Sequence, residues 1–173
     1  MIKSLREWDF KIHEKSTLPP IQKLTRNEDH EYWYKDQLVI SSITEVVDVR
    51  EPFLKKIHDN TRAEWAPRGT AIHACLEAFL KGEPYDPGEY KDTVKGLTEY
   101  WLWDEWDAIA TEYKVIDERR KIAGTIDMVL RNKADPLRIA IADLKTNKTK
   151  IAKRNISPQL GGYVSLLNLC WPE

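Results

Sequence analysis

Apolar residues gather in two runs, Ile122 to Leu130 and Leu137 to Leu144, separated by a polar stretch holding Asn132, Asp135 and Pro136. That layout predicts a β-hairpin. Ile, Val, Leu and Ala fill both parities of each run, as in a central strand covered on both faces. Ala108 to Asp117 predicts another strand, joined to the hairpin by a tight turn at Glu118-Arg119. Upstream, Glu31 to Ile40 predicts a short hairpin turning near Lys35-Asp36. Ser42-Ile43-Thr44-Glu45 has capping-box spacing and opens a helix to about Ile57. Pro52 falls inside that helix and is expected to kink or split it. Asn60 to Gly69, with Arg62, Trp65 and Arg68, predicts a loop. The stripe Ile72, Leu76, Phe79 and Leu80 predicts a helix from Thr70 to Lys81, closed by Gly82.

The remaining segments are polar or mixed. Gly88 to Trp106 predicts an acidic, aromatic helix with Trp101 turned inward; residues 83–107 carry eight acids against two lysines, a solvated outer face. Ser157-Pro158 starts a last helix, with proline in its first turn. Gln159 and Tyr163 share one face of it, and Gly161-Gly162 permits a close backbone approach. Met1 to His30 is polar, broken by Pro19-Pro20, and reads as an arm or a small helical extension.

Charged residues inside the apolar runs change the picture. If the main hairpin folds about Asp135, paired residue numbers sum to 270, which sets Asp127 opposite Asp143. Side chains alternate along a strand, so Asp143 and Lys145 share a face with Asp127. Pairing of the preceding strand about Glu118-Arg119 gives sums of 237, setting Glu112 opposite Thr125 and on that same side. Acids converging on one covered face repel, and a divalent cation is the natural neutraliser. His73 and Glu77, four apart on a helix, share a face. From Lys145 to Arg154 the chain holds five cations and no acid, a phosphate-contacting flank.

Composition narrows the class. The chain of 173 residues suits one domain with a real core; 42% hydrophobic and 32% charged residues suit a globular protein. A net charge of −1 excludes a polycation that coats nucleic acid but leaves room for a local basic groove. Cys75 and Cys170 form no CxxC pair, which argues for a reducing compartment, here the cytoplasm, and against zinc or iron–sulfur chemistry. No apolar run is long enough to span a membrane, and no signal peptide is visible.

Taken together, Gly69-Thr70-x-x-His73-x-x-x-Glu77, Glu112, Gly124-x-x-Asp127, Asp143-x-Lys145 and Gln159-x-x-x-Tyr163 resemble the RecB-like branch of the PD-(D/E)XK nuclease superfamily, over residues 68–164. The aromatic hairpin Tyr32 to Tyr34 and the Ser41-Ser42 helix start are similar to phage exonucleases and the mitochondrial genome maintenance exonuclease. The resemblance implies an α/β restriction-endonuclease-like core, a mixed central sheet flanked by helices, spanning 61–173 behind an N-terminal extension at 1–60. It implies a metal-dependent DNA exonuclease acting on single strands or ends in phage replication, recombination or DNA turnover. The other readings are a structure-specific or nicking endonuclease and a catalytically silent DNA-binding module. His73, Asp127, Asp143 and the Leu144 carbonyl would hold Mg²⁺ or Mn²⁺. Lys145 would act on the water or the phosphate. Glu112 and Glu77 would serve a second ion or support the first, and Gln159 and Tyr163 would hold DNA or buttress the site. Arg68, Trp65, Lys148, Lys150, Lys153 and Arg154 would touch the strand. The cysteines of iron–sulfur members are missing, so no iron–sulfur cluster is expected. A further strand that usually completes the sheet after the Gln-x-x-x-Tyr helix is missing too, which implies a compact or shortened version.

Overall fold

The computed structural model describes residues 17–49, 52–146 and 156–171, the side chains of 52–65 excepted. Those residues form a mixed α/β fold with two sheets and five helices. The small sheet is β1 (Leu24–Arg26), β2 (Tyr32–Tyr34) and β3 (Gln37–Leu38), all antiparallel. Lys35 and Asp36 both have positive φ, 50° and 64°, the left-handed pair that a tight two-residue hairpin turn requires. The strand β1 lies in the segment expected to be an arm or a helical extension.

The main sheet is β4 (Ser41–Ser42), β5 (Trp106–Asp117), β6 (Ile122–Asn132) and β7 (Ile139–Ala142). Its centre is β6. Antiparallel β5 runs along one edge of β6. The other edge is shared: β4 pairs parallel at Ile122 and Ala123, and β7 pairs antiparallel from Met128 to Arg131. Gly124 to Asp127 lie between the two. Residues of the expected N-terminal extension therefore supply a strand to the main sheet. Continuing the β6–β7 register of sum 270 sets Asp127 opposite Asp143. Asn132 holds that turn by accepting the Ala134 and Asp135 N–H groups on its side chain. However, β7 is shorter than its apolar run and half-buried throughout, so it is an edge strand rather than a covered one.

The β5–β6 register is two residues from expectation. Lys114 pairs with Thr125, and Glu112 falls opposite Asp127. The cause is the turn. Asp117 accepts the N–H groups of both Arg119 and Arg120, and Lys121 takes a φ of 55°. The turn thereby lengthens to four residues. A shift of two preserves parity, so Glu112 keeps the side it was expected to face.

The helices are α1 (Ile43–Asp48), α2 (Pro52–Lys81), α3 (Lys91–Thr98), α4 (Leu102–Glu105) and α5 (Ile156–Cys170). The capping box at Ser42 is complete, its hydroxyl and the Glu45 carboxylate exchanging bonds with the backbone. The expected helix to Ile57 is split before Pro52. The expected loop at 60–69 is instead helix, because α2 is continuous through Pro67. Ala63, Glu64 and Ala66 favour helix and outweigh one interior proline. Gly82, φ 74°, closes α2: its N–H bonds Phe79 and the Glu83 N–H bonds Ala78. The expected long helix at 88–106 is broken into a 3₁₀ turn, α3 and α4. The Trp103 indole donates to the Leu97 carbonyl, satisfying the end of α3. Trp101 is 55% exposed, turned outward rather than inward.

Two apolar clusters hold the sheet. One joins Tyr32, Tyr34, Ile43, Ile126, Val129, Tyr163 and Leu166; the other joins Leu76 of α2 to Met128, Leu130, Leu102 and Trp103. Each fully buried aliphatic side chain contributes about 1.5–3 kcal/mol. The Gly-x-x-Asp motif has a packing reason. A Cβ on Gly124 would stand 2.6 Å from the Tyr163 ring, and one on Gly162 would stand 2.9 Å from Ile43. Gly161 has open space where a Cβ would project. Gly124→Ala is expected to destabilise the fold by about 1–3 kcal/mol through overpacking. In a Tyr163→Leu background most of that loss should vanish. Urea unfolding of the four-member cycle measures it, and an unchanged penalty in that background would refute the contact.

Candidate metal centre

The site is built where the β6–β7 ladder ends. Past Ala142 the chain leaves β6, and the Leu144 N–H donates to Asp127 Oδ2 at 2.7 Å. A side chain thus replaces a main-chain partner and fixes the Asp143–Lys145 segment beside Asp127. From α2, His73 Nε2 meets the Leu144 carbonyl at 3.0 Å, while its Nδ1 lies 3.6 Å from Asp127 Oδ2 and 4.0 Å from Glu112 Oε1. Ligand atoms of His73, Glu112 and Asp127 all lie within 4.8 Å of one another. Glu112 reaches this point through a left-handed backbone, φ 46°, in the middle of a strand. For a non-glycine residue that conformation is sparsely populated and strained.

Asp143 and Lys145 pair at 2.6 Å, with the Asp143 side chain 4% exposed. Lys145 approaches Asp143 Oδ2 outside hydrogen-bonding angles, so this buried oxygen has an ion-pair partner and no hydrogen bond. Leu76, Leu80, Thr111 and Met128 complete the cleft walls with Glu77 at its edge. Glu77 accepts from Lys81 at 2.6 Å and from the Thr111 hydroxyl at 3.5 Å.

The electrostatics follow from crowding. Burial, then the Asp143 carboxylate, push Asp127 up to about 6. Glu112 holds His73 above its ordinary range, with Asp127 and the Leu144 carbonyl adding and burial opposing. Excess negative charge in a partly dry cleft is the condition a divalent cation relieves. Imidazole, carboxylate and carbonyl donors suit Mg²⁺ or Mn²⁺, and the imidazole favours Mn²⁺.

The structure brings His73, Glu77, Glu112, Asp127 and Leu144 into one cleft, while Asp143 and Lys145, on either side of Leu144, pair with each other outside its lining. Gln159 and Tyr163 lie behind it. Gln159 donates to the Tyr163 hydroxyl at 3.0 Å, and Tyr163 is 4% exposed, a buttress rather than a surface. Burial pushes its hydroxyl up to about 12. Tyr32 and Tyr34 are core residues, and only Trp33 of that hairpin shows its ring, 38% exposed. Lys148, Lys150, Lys153, Arg154 and the Trp65 side chain lie outside the described residues. Sequence reasoning missed Thr111, which binds Glu77, and Thr44, which bonds Tyr163. Neither threonine carries a spacing signal. Among the described residues, no helix is long and apolar enough to cross a membrane. No family model, curated protein or solved structure matches the chain.

Stability should depend on pH through this cluster. The Asp127 carboxyl titrates at 3.8 in an ordinary setting and at about 6 here, so the folded state holds its proton more tightly. Stability falls as pH rises across that interval, on the order of 2–3 kcal/mol at about 1.4 kcal/mol per unit. The raised His73 acts with the same sign, its contribution being lost as pH rises through its folded value. Asp127→Asn should therefore raise the melting temperature at pH 7.5 in EDTA and flatten the pH 4–6 decline. Mn²⁺ should stabilise the parent chain and not this variant. Thermal melts across pH, with and without Mn²⁺, measure both. A variant less stable than the parent in EDTA would contradict the charge-crowding account.

Proposed function

We propose that the chain is a metal-dependent nuclease with a PD-(D/E)XK core, hydrolysing DNA phosphodiesters from an end. The observation that carries the reading is the convergence of His73, Glu112 and Asp127 in one cleft that Leu144, between Asp143 and Lys145, also lines. His73 and Asp127 would hold Mg²⁺ or Mn²⁺, with Asp143, the Leu144 carbonyl and Glu112 available to complete the set. Such an ion, when bound, would supply Lewis acidity toward a phosphoryl oxygen and the attacking water. Lys145, paired with Asp143, would offer its ammonium to the charge that develops on the phosphoryl group. Burial of Asp143 and the apolar walls of Leu76, Leu80 and Met128 keep the surroundings partly dry, which strengthens each of these interactions. Tyr163 and Gly124 hold α5 against β6 directly behind the acids.

A requirement for an end follows from the kind of contact available. Cationic and aromatic groups grip any strand without reading its sequence. A free terminus is the simplest restriction on such a site. End-labelled linear single strands should be degraded with Mn²⁺ or Mg²⁺, and covalently closed circular single strands spared. Equal loss of both on a gel would replace this reading with the endonuclease one; intact binding without cleavage would replace it with a silent module. Lys145→Ala should lose cleavage by at least about 100-fold while keeping Mn²⁺ affinity, because the ammonium acts on the phosphate rather than on the ion. Cleavage within a few-fold of the parent, measured beside calorimetric Mn²⁺ titration, would remove Lys145 from the mechanism.

A further inference from the structure

An aromatic pair stands outside the fold where the chain passes from α3 to β5. Tyr100 is 48% exposed and Trp101 55% exposed. Their ring centroids lie 5.3 Å apart with planes tilted by 49°, so the rings form an open corner rather than a flat stack. The inward side of this turn is taken by Leu102 and Trp103, which pack on the Leu76, Met128 and Leu130 cluster. The Trp103 indole also donates to the Leu97 carbonyl. The apolar needs of α4 are therefore met without Tyr100 or Trp101. Two adjoining aromatic side chains left in water mark an interaction surface, whereas single exposed apolar residues are ordinary.

The charge around the corner says what would cover it. Glu99 to Trp106 holds three acids and no cation. Trp101 already has helical dihedrals, φ −52° and ψ −22°, so Asp104 and Glu105, three and four residues on, share its face of α4. Glu99, Asp104 and Glu105 are all exposed, and among the described residues none of them forms an ion pair. Lys133 reaches this turn, but its ammonium donates to the Trp103 carbonyl and lies 3.9 Å from Asp107. The wider stretch 83–107 carries eight acids against two lysines. Such a field repels a phosphate chain, so the rings do not suit stacking on nucleic acid. It attracts a cation, and ring faces attract the same charge. A guanidinium answers both: its plane lies on an indole while its donors fork onto a carboxylate. An ammonium is more strongly hydrated and makes neither contact as well.

We propose that the Tyr100–Trp101 corner is a docking surface for an arginine-bearing segment of a partner protein. One guanidinium lies against the rings, and Glu99, Asp104 and Glu105 hold it and the cations next to it. None of these residues lines the metal cleft, so the surface stands or falls apart from the nuclease reading.

The test uses the full chain and three fluorescent peptides in which arginine, lysine or glutamate alternates with glycine. Anisotropy is measured at low and at physiological ionic strength. The arginine peptide should bind, the lysine peptide about 3-fold more weakly, and the glutamate peptide not at all. Trp101→Ala should weaken arginine-peptide binding about 3- to 5-fold, and Tyr100→Ala with Trp101→Ala about 10-fold, with Trp101→Phe nearer the parent. Joint Glu99→Gln, Asp104→Asn and Glu105→Gln should weaken it about 10-fold at low salt and less at high salt. Joint Glu83→Gln, Glu89→Gln and Asp92→Asn removes the same charge from exposed acids elsewhere in the stretch and should change binding less than about 2-fold. Melting temperatures of the corner variants should match the parent, because these side chains are exposed. No loss in Trp101→Ala, or an equal loss in the two charge variants, would overturn the docking surface in favour of general charge attraction. A lowered melting temperature in Trp101→Ala with unchanged peptide binding would overturn it in favour of a structural role. Weaker binding of a single-stranded oligonucleotide by Trp101→Ala would overturn it in favour of a strand-stacking surface. Self-association of the parent in sedimentation, lost in Trp101→Ala, would overturn it in favour of a second copy of this chain.

Discussion

The bond from the Leu144 N–H to the Asp127 carboxylate is the constraint on which the cleft depends. It sits where a ladder of backbone pairs stops and a cluster of side chains begins. Without it the segment after Ala142 would lose its side-chain tie to β6, leaving the His73 contact to hold the Leu144 carbonyl against α2. The bond also sets a conflict. It favours an ionised Asp127, yet burial and Asp143 disfavour that ion more strongly. The cleft is therefore a local weakness in an otherwise well-packed sheet. Sites that bind ions carry such weakness as a rule, because the groups a cation needs are groups a core would exclude.

Much of the sheet was legible from residue order. The β6–β7 register follows from two apolar runs and from Asn132 and Asp135, turn residues with side chains that bond the backbone locally. The β5–β6 register was not legible to the residue. Asp117 extends its turn by capturing two N–H groups, and nothing in the Glu118-Arg119 dipeptide announces that. The site survived the error because a slip of two keeps each side chain on its own face. The continuity of α2 was hidden by Pro67 and by a stretch whose polar residues look like loop. The helix at 88–106 failed in the opposite direction: Tyr100 and Trp101 meet as a tilted, exposed ring pair, and Trp101 does not pack inward.

The glycines divide by what they face. Gly124 and Gly162 are contact surfaces for Tyr163 and Ile43, so their value lies in absent atoms. That ties the Gly-x-x-Asp and Gln-x-x-x-Tyr patterns together physically: one pattern supplies the ring, the other the flat backbone it rests on. Asp127 stands three residues beyond that contact. Packing on one cluster thus sets the height at which the carboxylate enters the cleft.

The left-handed backbone at Glu112 bears on the gene as well as on the fold. Glutamate codons become glycine codons by a single base change, and glycine adopts this conformation without strain. A more relaxed strand is therefore one mutational step away at this position. The chain nevertheless spends its strain on a side chain that ends 4.0 Å from His73. Position 112 is where easy mutational access to a more stable protein and retention of a carboxylate pull in opposite directions.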